Sequence, residues 1–420
     1  MNNGPSGDYY DYTKTMQPER PYILPYHQSL VFLTMTCTRG GDGAVDKVYQ
    51  TFEQTLAMTR TIYNLTLGVP QVNYLVGWHH EGHDSKYPDW SEVNRHLKRD
   101  GDKTALESLR WLIREARQYN ATVSLHLNMM DAYLDSPLWD EYVAKDIIAK
   151  DVDGNVIKGK EWGGMASYQM SYTQEWKTGL AQKRIDGIID MIPELTEGGT
   201  VHIDAFLGER PGPGRGQLIS PYLGYTKDEE LATQRKLFRY WRDRDIDVTS
   251  EWVDGLRGDY FVGLQAWAWH GSSAVADLPD ALYCGNPMED AKHPGFDQEG
   301  GLHEKFREEF YLMFVPWYYQ NSPEGTEDSA SMLDGTDICM PALWCETPTL
   351  IAYSRDGYES RPWPLPADWQ GVAKVTLARL TPEGAEPLGD VEVVEGGITL
   401  SLDKDQAVSI TPATDPLQAE

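Results

Sequence analysis

Six short runs rich in β-branched and aromatic residues recur along this chain, and amphipathic stretches separate them. The runs are "SLVFLTMT" (29–36), "QVNYLVGW" (71–78), "ATVSLHLN" (121–128), "TVHIDAF" (200–206), "IDVTSEW" (246–252) and "YFVGLQAWAW" (260–269). Short continuous apolar runs bounded by turn residues read as strands of a parallel sheet buried on both faces. Between them, "VDKVYQTFEQTLAMTRTIYNL", "TALESLRWLIREARQYN", "WKTGLAQKRIDGIIDMIPEL" and "DEELATQRKLFRYWRDRD" carry apolar residues at the 3.6-residue period of a helix.

Repeated βα units of this number fit a closed barrel or a doubly wound sheet. The first strand is not followed by a Gly-rich phosphate turn, which weighs against the nucleotide-binding doubly wound form. The expectation is a (β/α)8 TIM-like barrel over 25–346, after an N-terminal extension at 1–24. The strands that would close it are weakly marked, near "EFYLMFVPWYY" and "DICMPALW". From Thr347 the texture changes to short alternating runs such as "GVAKVTLARL" and "GITLSLDKDQAVSITPA". These predict a small antiparallel β-sandwich over 347–420.

Charge narrows the partners. With 65 acidic against 37 basic residues the chain carries a net charge of −28, the wrong sign for nucleic acid or an anionic membrane surface. No run approaches the length of a membrane span, and the N-terminus shows no basic, apolar leader. The expected location is cytoplasmic, or secreted if a signal has been removed. The four cysteines lack C-x-x-C spacing and read as free thiols. Asn64 and Asn120 match the glycosylation sequon, a pattern that chance often produces.

Aromatic usage points to a ligand. There are 14 Trp and 24 Tyr against 9 Phe, a bias toward rings with a polar handle that suits the wall of a wet cleft. If the strands belong to a barrel, their carboxyl ends converge on one face. That face would gather Trp78, His79, His80, His83 and Asp84 after one strand, and His126, Asn128 and Asp131 at another. Asp204 and Glu251 end two more strands, followed by Trp252, and Gln265, Trp267 and His270 close the set.

Two carboxylates facing one cleft are the minimum for glycoside hydrolysis, one attacking or supporting the anomeric carbon and one protonating the leaving oxygen. Adjacent strands lie close enough for Asp204 and Glu251 to reach the ~5–5.5 Å separation of a retaining enzyme. The plainer alternatives are a loop cap for Asp204 and a surface ion pair for Glu251. Trp78, Trp162, Trp252 and Trp267 are candidates to stack on sugar faces, with His83, Asp84, His126, Asn128, Asp131, Gln265 and His270 bonding hydroxyls. A metal reading of His79, His80 and His83 is disfavoured, because Gly82 and Pro88 break the helix that zinc spacing needs. "KDVDGNVIKGKE" places its glycine one position too early for a calcium loop and reads as a hairpin turn. No G-x-S-x-G elbow occurs, and no cysteine has a partner base. Neither a metal nor an organic cofactor is expected.

Gly82-His83-Asp84, His126-Leu-Asn128, the "HIDAF" aspartate and the "SEW" glutamate together resemble the catalytic barrel of endo-α-N-acetylgalactosaminidases, glycoside hydrolase family 101, and the related family 129. The resemblance covers roughly 25–350. It implies a retaining hydrolase of α-linked N-acetylgalactosamine on mucin-type O-glycans, with Asp204 as nucleophile, Glu251 as acid/base, and His83, Asp84 and Asn128 holding the sugar. Two features depart from the family. Its members are usually longer, with a β-sandwich ahead of the barrel, and here "GERPGPGRGQLISPYLGY" is inserted between the two carboxylates. The alternatives are a barrel glycosidase for another α-glycan, or a non-catalytic carbohydrate-binding protein, which would need neither carboxylate near one sugar carbon.

Overall fold

Three helices after strands of the first sheet begin in the same way. A threonine N-cap accepts from the backbone N–H three residues on, and a Gln or Glu at that position returns the bond: Thr51 with Gln54, Thr104 with Glu107, and Thr226 with Glu229. These capping boxes start α1 (Phe52–Leu65), α2 (Ala105–Ala116) and α4 (Lys227–Arg242), while α3 (Leu180–Met191) follows a left-handed Gly179. The structure, a computed structural model, describes residues 21–204, 220–250, 264–266, 302, 304–320, 322 and 332–413.

The first sheet has six parallel strands: β1 (Leu30–Met35), β2 (Gln71–Val76), β3 (Ala121–Asn128), β4 (Thr200–Asp204), β5 (Asp247–Ser250) and β6 (Leu264–Ala266). Their spatial order is their chain order. A doubly wound sheet reverses order at a switch point; this one adds each strand on the same side, as a barrel wall does. The described strands leave β1 and β6 as edges, so closure is not seen among them. On one face, Leu109 and Leu112 of α2, Ile185 and Ile188 of α3, and Leu237 and Trp241 of α4 pack against Leu75, Leu125, Val201 and Val248. On the other face Tyr74 and Tyr26 both reach the Thr200 hydroxyl, at 2.6 and 2.7 Å. Both faces are therefore covered, as the unbroken apolar runs require.

Three sequence expectations need correction. "EFYLMFVPWYY" is not a strand but a helix, Phe306–Gln320, with a widened π turn over Phe310–Phe314 just ahead of Pro316. It is apolar all round because it is enclosed: Phe310, Phe314 and Tyr318 share a core with Leu30 and Phe32 of β1, Met58 and Ile62 of α1, and the second sheet. Periodicity cannot separate a buried helix from a buried strand in such a run. "DICMPALW" does form a strand, Asp337–Pro341, but it pairs antiparallel with Leu350–Ser354 and belongs to the second sheet. At the front of the first helical stretch, Val45–Val48 pairs with Cys37–Arg39, and α1 starts only after the Thr51 cap.

The second sheet is antiparallel, in the order 333–334, 337–341, 350–354, 406–412, 374–381 and 384–392. It thus begins ahead of residue 347. Alternation divides its faces: Ile338, Met340 and Ile351 turn toward the enclosed helix, whereas Cys339, Leu350 and Ala352 pack with Trp363, Ile398 and Leu400 of the hairpin 358–364/397–402. The Trp344 indole N–H donates to Thr66 O, and the Asn64 amide donates to Pro382 O, so the end of α1 is bonded to loops of the second sheet. Cys37, Cys339 and Cys345 are free; Cys284 lies outside the described residues. Among the described residues no helix is long and apolar enough to cross a membrane.

Candidate active site

The segment after β2 is drawn back across the sheet. Gly77 has φ +81°, and a Cβ there would lie 2.0 Å from the Cys37 carbonyl oxygen; at Gly82, φ +123°, the distance would be 2.8 Å. Only glycine allows this approach. It lets the His83 N–H donate to Cys37 O at 2.8 Å and turns Asp84 into the left-handed region at φ +58°. Arg39 then fixes Asp84 by donating from Nε to its carbonyl oxygen, while its other nitrogens donate to the carbonyls of Trp162 and Gly163 and its guanidinium lies 4.6 Å from the Tyr133 ring centroid.

At the end of β3, Asn128 is held in one orientation. Its Oδ1 accepts from the N–H groups of Met130 and Asp131, both at 2.8 Å, so Nδ2 must face the other way. There it donates to Asp131 Oδ2 at 2.9 Å and to Asp204 Oδ2 at 3.2 Å. Register makes this possible, since β4 pairs Asp204 with Asn128 and His202 with His126. The His126 ring stacks on His202 at 5.1 Å and meets His83 edge-on at 5.4 Å. Its Nε2 lies 3.9 Å from Asp204 Oδ1. Burial first, and His83 second, hold the His126 pKa well below the imidazole range, so this is a contact of a neutral ring rather than an ion pair.

Asp84, Asp131 and Asp204 thus surround one small volume. Burial raises the Asp84 pKa; the His83 imidazole, 3.6 Å away, opposes this and the Asp204 charge adds to it. Asp131 is pushed from 3.8 up to about 7, by burial first and then by the Asp84 charge. Burial and the same carboxylates drive the Tyr87 and Tyr133 phenols upward. Four polar atoms here have no hydrogen-bond partner among the described residues: His83 Nδ1, His126 Nδ1 and the hydroxyls of Tyr87 and Tyr133. Buried polar groups are seldom left unpaired.

The structure brings His83, Asp84, His126, Asn128, Asp131 and Asp204 together, and ties the Trp162 backbone to Asp84 through Arg39. Trp162 itself is 38% exposed. Trp78 requires correction as a sugar platform: it is fully buried and its indole N–H donates to His126 O at 2.9 Å, so its ring belongs to the core. Asp131 is 4% exposed, and its Oδ2 accepts from the Asn128 amide. Glu251, Trp252, Trp267 and His270 lie outside the described residues, as does the "GERPGPGRG" loop; for Gln265 the strand register alone is described, opposite Thr249. Among the described residues no group of three or more His, Cys, Asp or Glu is arranged to hold a metal ion. His79 stacks on Tyr87 at 4.8 Å with Nε2 3.0 Å from Ser85 O, and the 150–156 segment closes as a hairpin-like bridge. Sequence reasoning missed His202, although it precedes Asp204 by one strand period. Arg39, Tyr87 and Tyr133 left no local signal, since they reach the site from separate segments.

Asp131 yields a stability test. Its folded pKa lies above the unfolded 3.8, so the folded state holds a proton that the unfolded chain has lost. The associated stability is intact below pH ~4 and is lost as pH rises through about 7. At 1.36 kcal/mol per unit the shift amounts to a few kcal/mol, on the order of 4. Asp131→Asn is expected to gain on the wild type by this order between pH 4.5 and 8 in urea unfolding; parallel pH profiles would exclude the assignment.

These features place a cup of carboxylates at the carboxyl ends of parallel strands, where barrel enzymes build their active sites. A family model described as endo-α-N-acetylgalactosaminidase matches residues 44–271, more than half of the chain. The chain belongs to glycoside hydrolase family 101. Among solved structures, it is similar to the ligand-free α-N-acetylgalactosaminidase NagBb from Bifidobacterium bifidum, with 17% identity and a TM-score of 0.42 over 65% of this chain and 43% of that one. It is also similar to the GH36 α-galactosidase AgaA from Geobacillus stearothermophilus, at 12% identity and TM-score 0.45 over 96% of this chain and 57% of that one. An α-amylase from Geobacillus thermoleovorans gives 12% identity and TM-score 0.44, covering 93% and 99%. The chain spans less than half the length of the Bifidobacterium protein.

Proposed function

We propose that this chain carries the catalytic part of a retaining glycosidase for α-linked N-acetylgalactosamine of mucin-type O-glycans, or for a related α-galactoside. The observation that carries the reading is Asp204: it ends β4, one oxygen is held by the Asn128 amide, and the other lies 3.9 Å from the neutral His126 ring. In this reading the six-stranded sheet is part of a (β/α)8 barrel over 25–346, and the antiparallel part over 347–420, extended by the strands from 333, is a β-sandwich.

Asp204 acts as nucleophile. Its free oxygen attacks the anomeric carbon as the glycosidic bond breaks, and Glu251 gives its proton to the leaving oxygen. Water then displaces the carboxylate, with Glu251 taking the proton back. The neutral His126 ring leaves the Asp204 charge available for attack, and the Asn128 N–H fixes which lone pairs face the sugar. His83 and Asp84 bond the ring substituents, and no cofactor takes part. A screen of nitrophenyl α- and β-glycosides with a core-1 O-glycopeptide tests the reading. Release from an α-N-acetylgalactosaminide or α-galactoside is expected. Turnover of β-glycosides alone, or binding with no turnover of any member, would replace it with another glycosidase or with a binding protein.

A further inference from the structure

Beside the cup stands the two-stranded ribbon formed by Cys37–Arg39 and Val45–Val48, and two other segments lean on it. One is the His83–Asp84 turn, whose His83 bridges to Thr38. The other is the hairpin in which Glu161–Trp162 pairs with Met165–Ala166. The ribbon's loop and the hairpin's turn meet through glycine: a Cβ at Gly164, φ +77°, would lie 3.0 Å from Gly41 Cα, and one at Gly41 would lie 3.3 Å from Gly164 O. Such a contact brings two backbones together but offers no side chain to hold them. Among the described residues, the hydrogen bonds that cross from ribbon to hairpin are those of Arg39, from Nη2 to Trp162 O at 3.3 Å and from Nη1 to Gly163 O at 3.4 Å. The same Nη1 donates to Gly40 O at 3.3 Å, and Nε donates to Asp84 O.

Arg39 is 4% exposed, and its partners are these carbonyl oxygens and the Tyr133 ring; among the described residues no carboxylate lies within ion-pair distance of it. A buried cation without a counter-ion is costly, so its placement reflects what the carbonyls around it gain. Asp84 has φ +58°, a conformation that a residue other than glycine keeps only where its surroundings fix it. A guanidinium can fix it and the hairpin together, because its donors diverge from one rigid planar fork. An ammonium is a point charge on a flexible stem and does not span carbonyls on two separate segments.

We infer that Arg39 is a positioning residue of the site: with one guanidinium it fixes the Asp84 turn and the 161–166 hairpin at a set separation, and with it the fit of the sugar to the cup. The consequence for the sugar rests on the glycosidase reading; the coupling of the two segments stands on the geometry. Asp204 and Asn128 take their places from the register of β3 and β4, not from Arg39. Its effect therefore falls on how the sugar is held rather than on the attack.

The test compares the wild type with Arg39→Lys in the full chain, and with Arg39→Gln, which strands no charge should the lysine variant fail to fold. Hydrogen–deuterium exchange read by mass spectrometry, with no ligand present, is expected to show peptides spanning 79–86 and 160–167 exchanging faster together, on the order of tenfold or more, with those of β3 and β4 unchanged. With the α-glycoside that scores highest in the screen, KM is expected to rise on the order of tenfold while kcat stays within about threefold. A residue that only stabilises the fold would do the reverse, lowering apparent kcat with the folded fraction and leaving KM alone. Lysine serving as well as arginine in either measurement would overturn the proposal, since the charge and not the fork would then suffice. So would a folded variant in which only one of the two segments loosens. The two readings fail separately: a screen without turnover refutes the glycosidase reading and leaves the exchange pattern to decide Arg39, whereas unchanged exchange refutes the role of Arg39 even if glycosides are cleaved.

Discussion

Asp204→Asn is expected to lower kcat by on the order of 10⁴-fold or more while leaving the protein at least as stable as the wild type. The catalytic loss follows from replacing the attacking carboxylate by an amide of the same shape. The stability follows from the surroundings. Asp84 and Asp131 both feel the Asp204 charge as a force that raises their pKa, so removing it relieves repulsion within the cup. A structural role would reverse the pattern: a cap or ion-pair aspartate, once neutralised, lowers the unfolding midpoint and leaves turnover of the remaining folded protein nearly intact. Steady-state kinetics and urea unfolding on one preparation separate the two.

Arg184→Met is expected to cost about 3–5 kcal/mol, because it strips the partner from a buried carboxylate. Glu175 is wholly buried, its pKa is raised by that burial, and only Arg184 and the Tyr142 hydroxyl bring it down. Methionine preserves much of the packing against Trp90, whose ring lies 4.1 Å from the guanidinium, so the loss isolates the charge. The double variant Arg184→Met/Glu175→Gln should recover a substantial part of the stability, since it removes the stranded charge. It should not recover full activity, because the Asn128 and Pro88 carbonyls still lack their donor. Denaturant unfolding of the single and double variants decides this, and a double variant no more stable than the single one would contradict it.

How far the sequence could be read depended on whether a residue's task was local. The six parallel strands were legible because each is a short apolar run, and the helices because threonine caps and 3.6-residue spacing are written side by side. Asp204 stood out as a carboxylate at the end of such a run, and the GHD and HLN segments as polar clusters in the equivalent place. Trp78 was misread because an indole after a strand looks the same in sequence whether it faces a cleft or turns inward to bond the His126 carbonyl. The 309–319 run was misread because enclosure by α1, β1 and the second sheet removes the polar face that would have marked a helix. The bond from Asn128 to Asp131 was not legible, since only the Asn128 side chain, pinned by two backbone N–H groups, shows it. Arg39 and Arg184 act across the fold on carbonyl groups, and no spacing pattern reports such a contact.

The central claim, that Asp204 attacks the sugar directly, is tested most directly by the stereochemistry of the first-formed product. The wild-type protein is given an α-linked aryl N-acetylgalactosaminide, or the α-glycoside that scores highest in the screen, and the anomeric protons are followed by NMR from the first minutes. Double displacement through Asp204 requires the α-anomer to appear first, with the β-anomer growing in only by mutarotation. If the β-anomer appears first, the reaction inverts, Asp204 serves as a base toward water, and the account of it as a nucleophile is wrong.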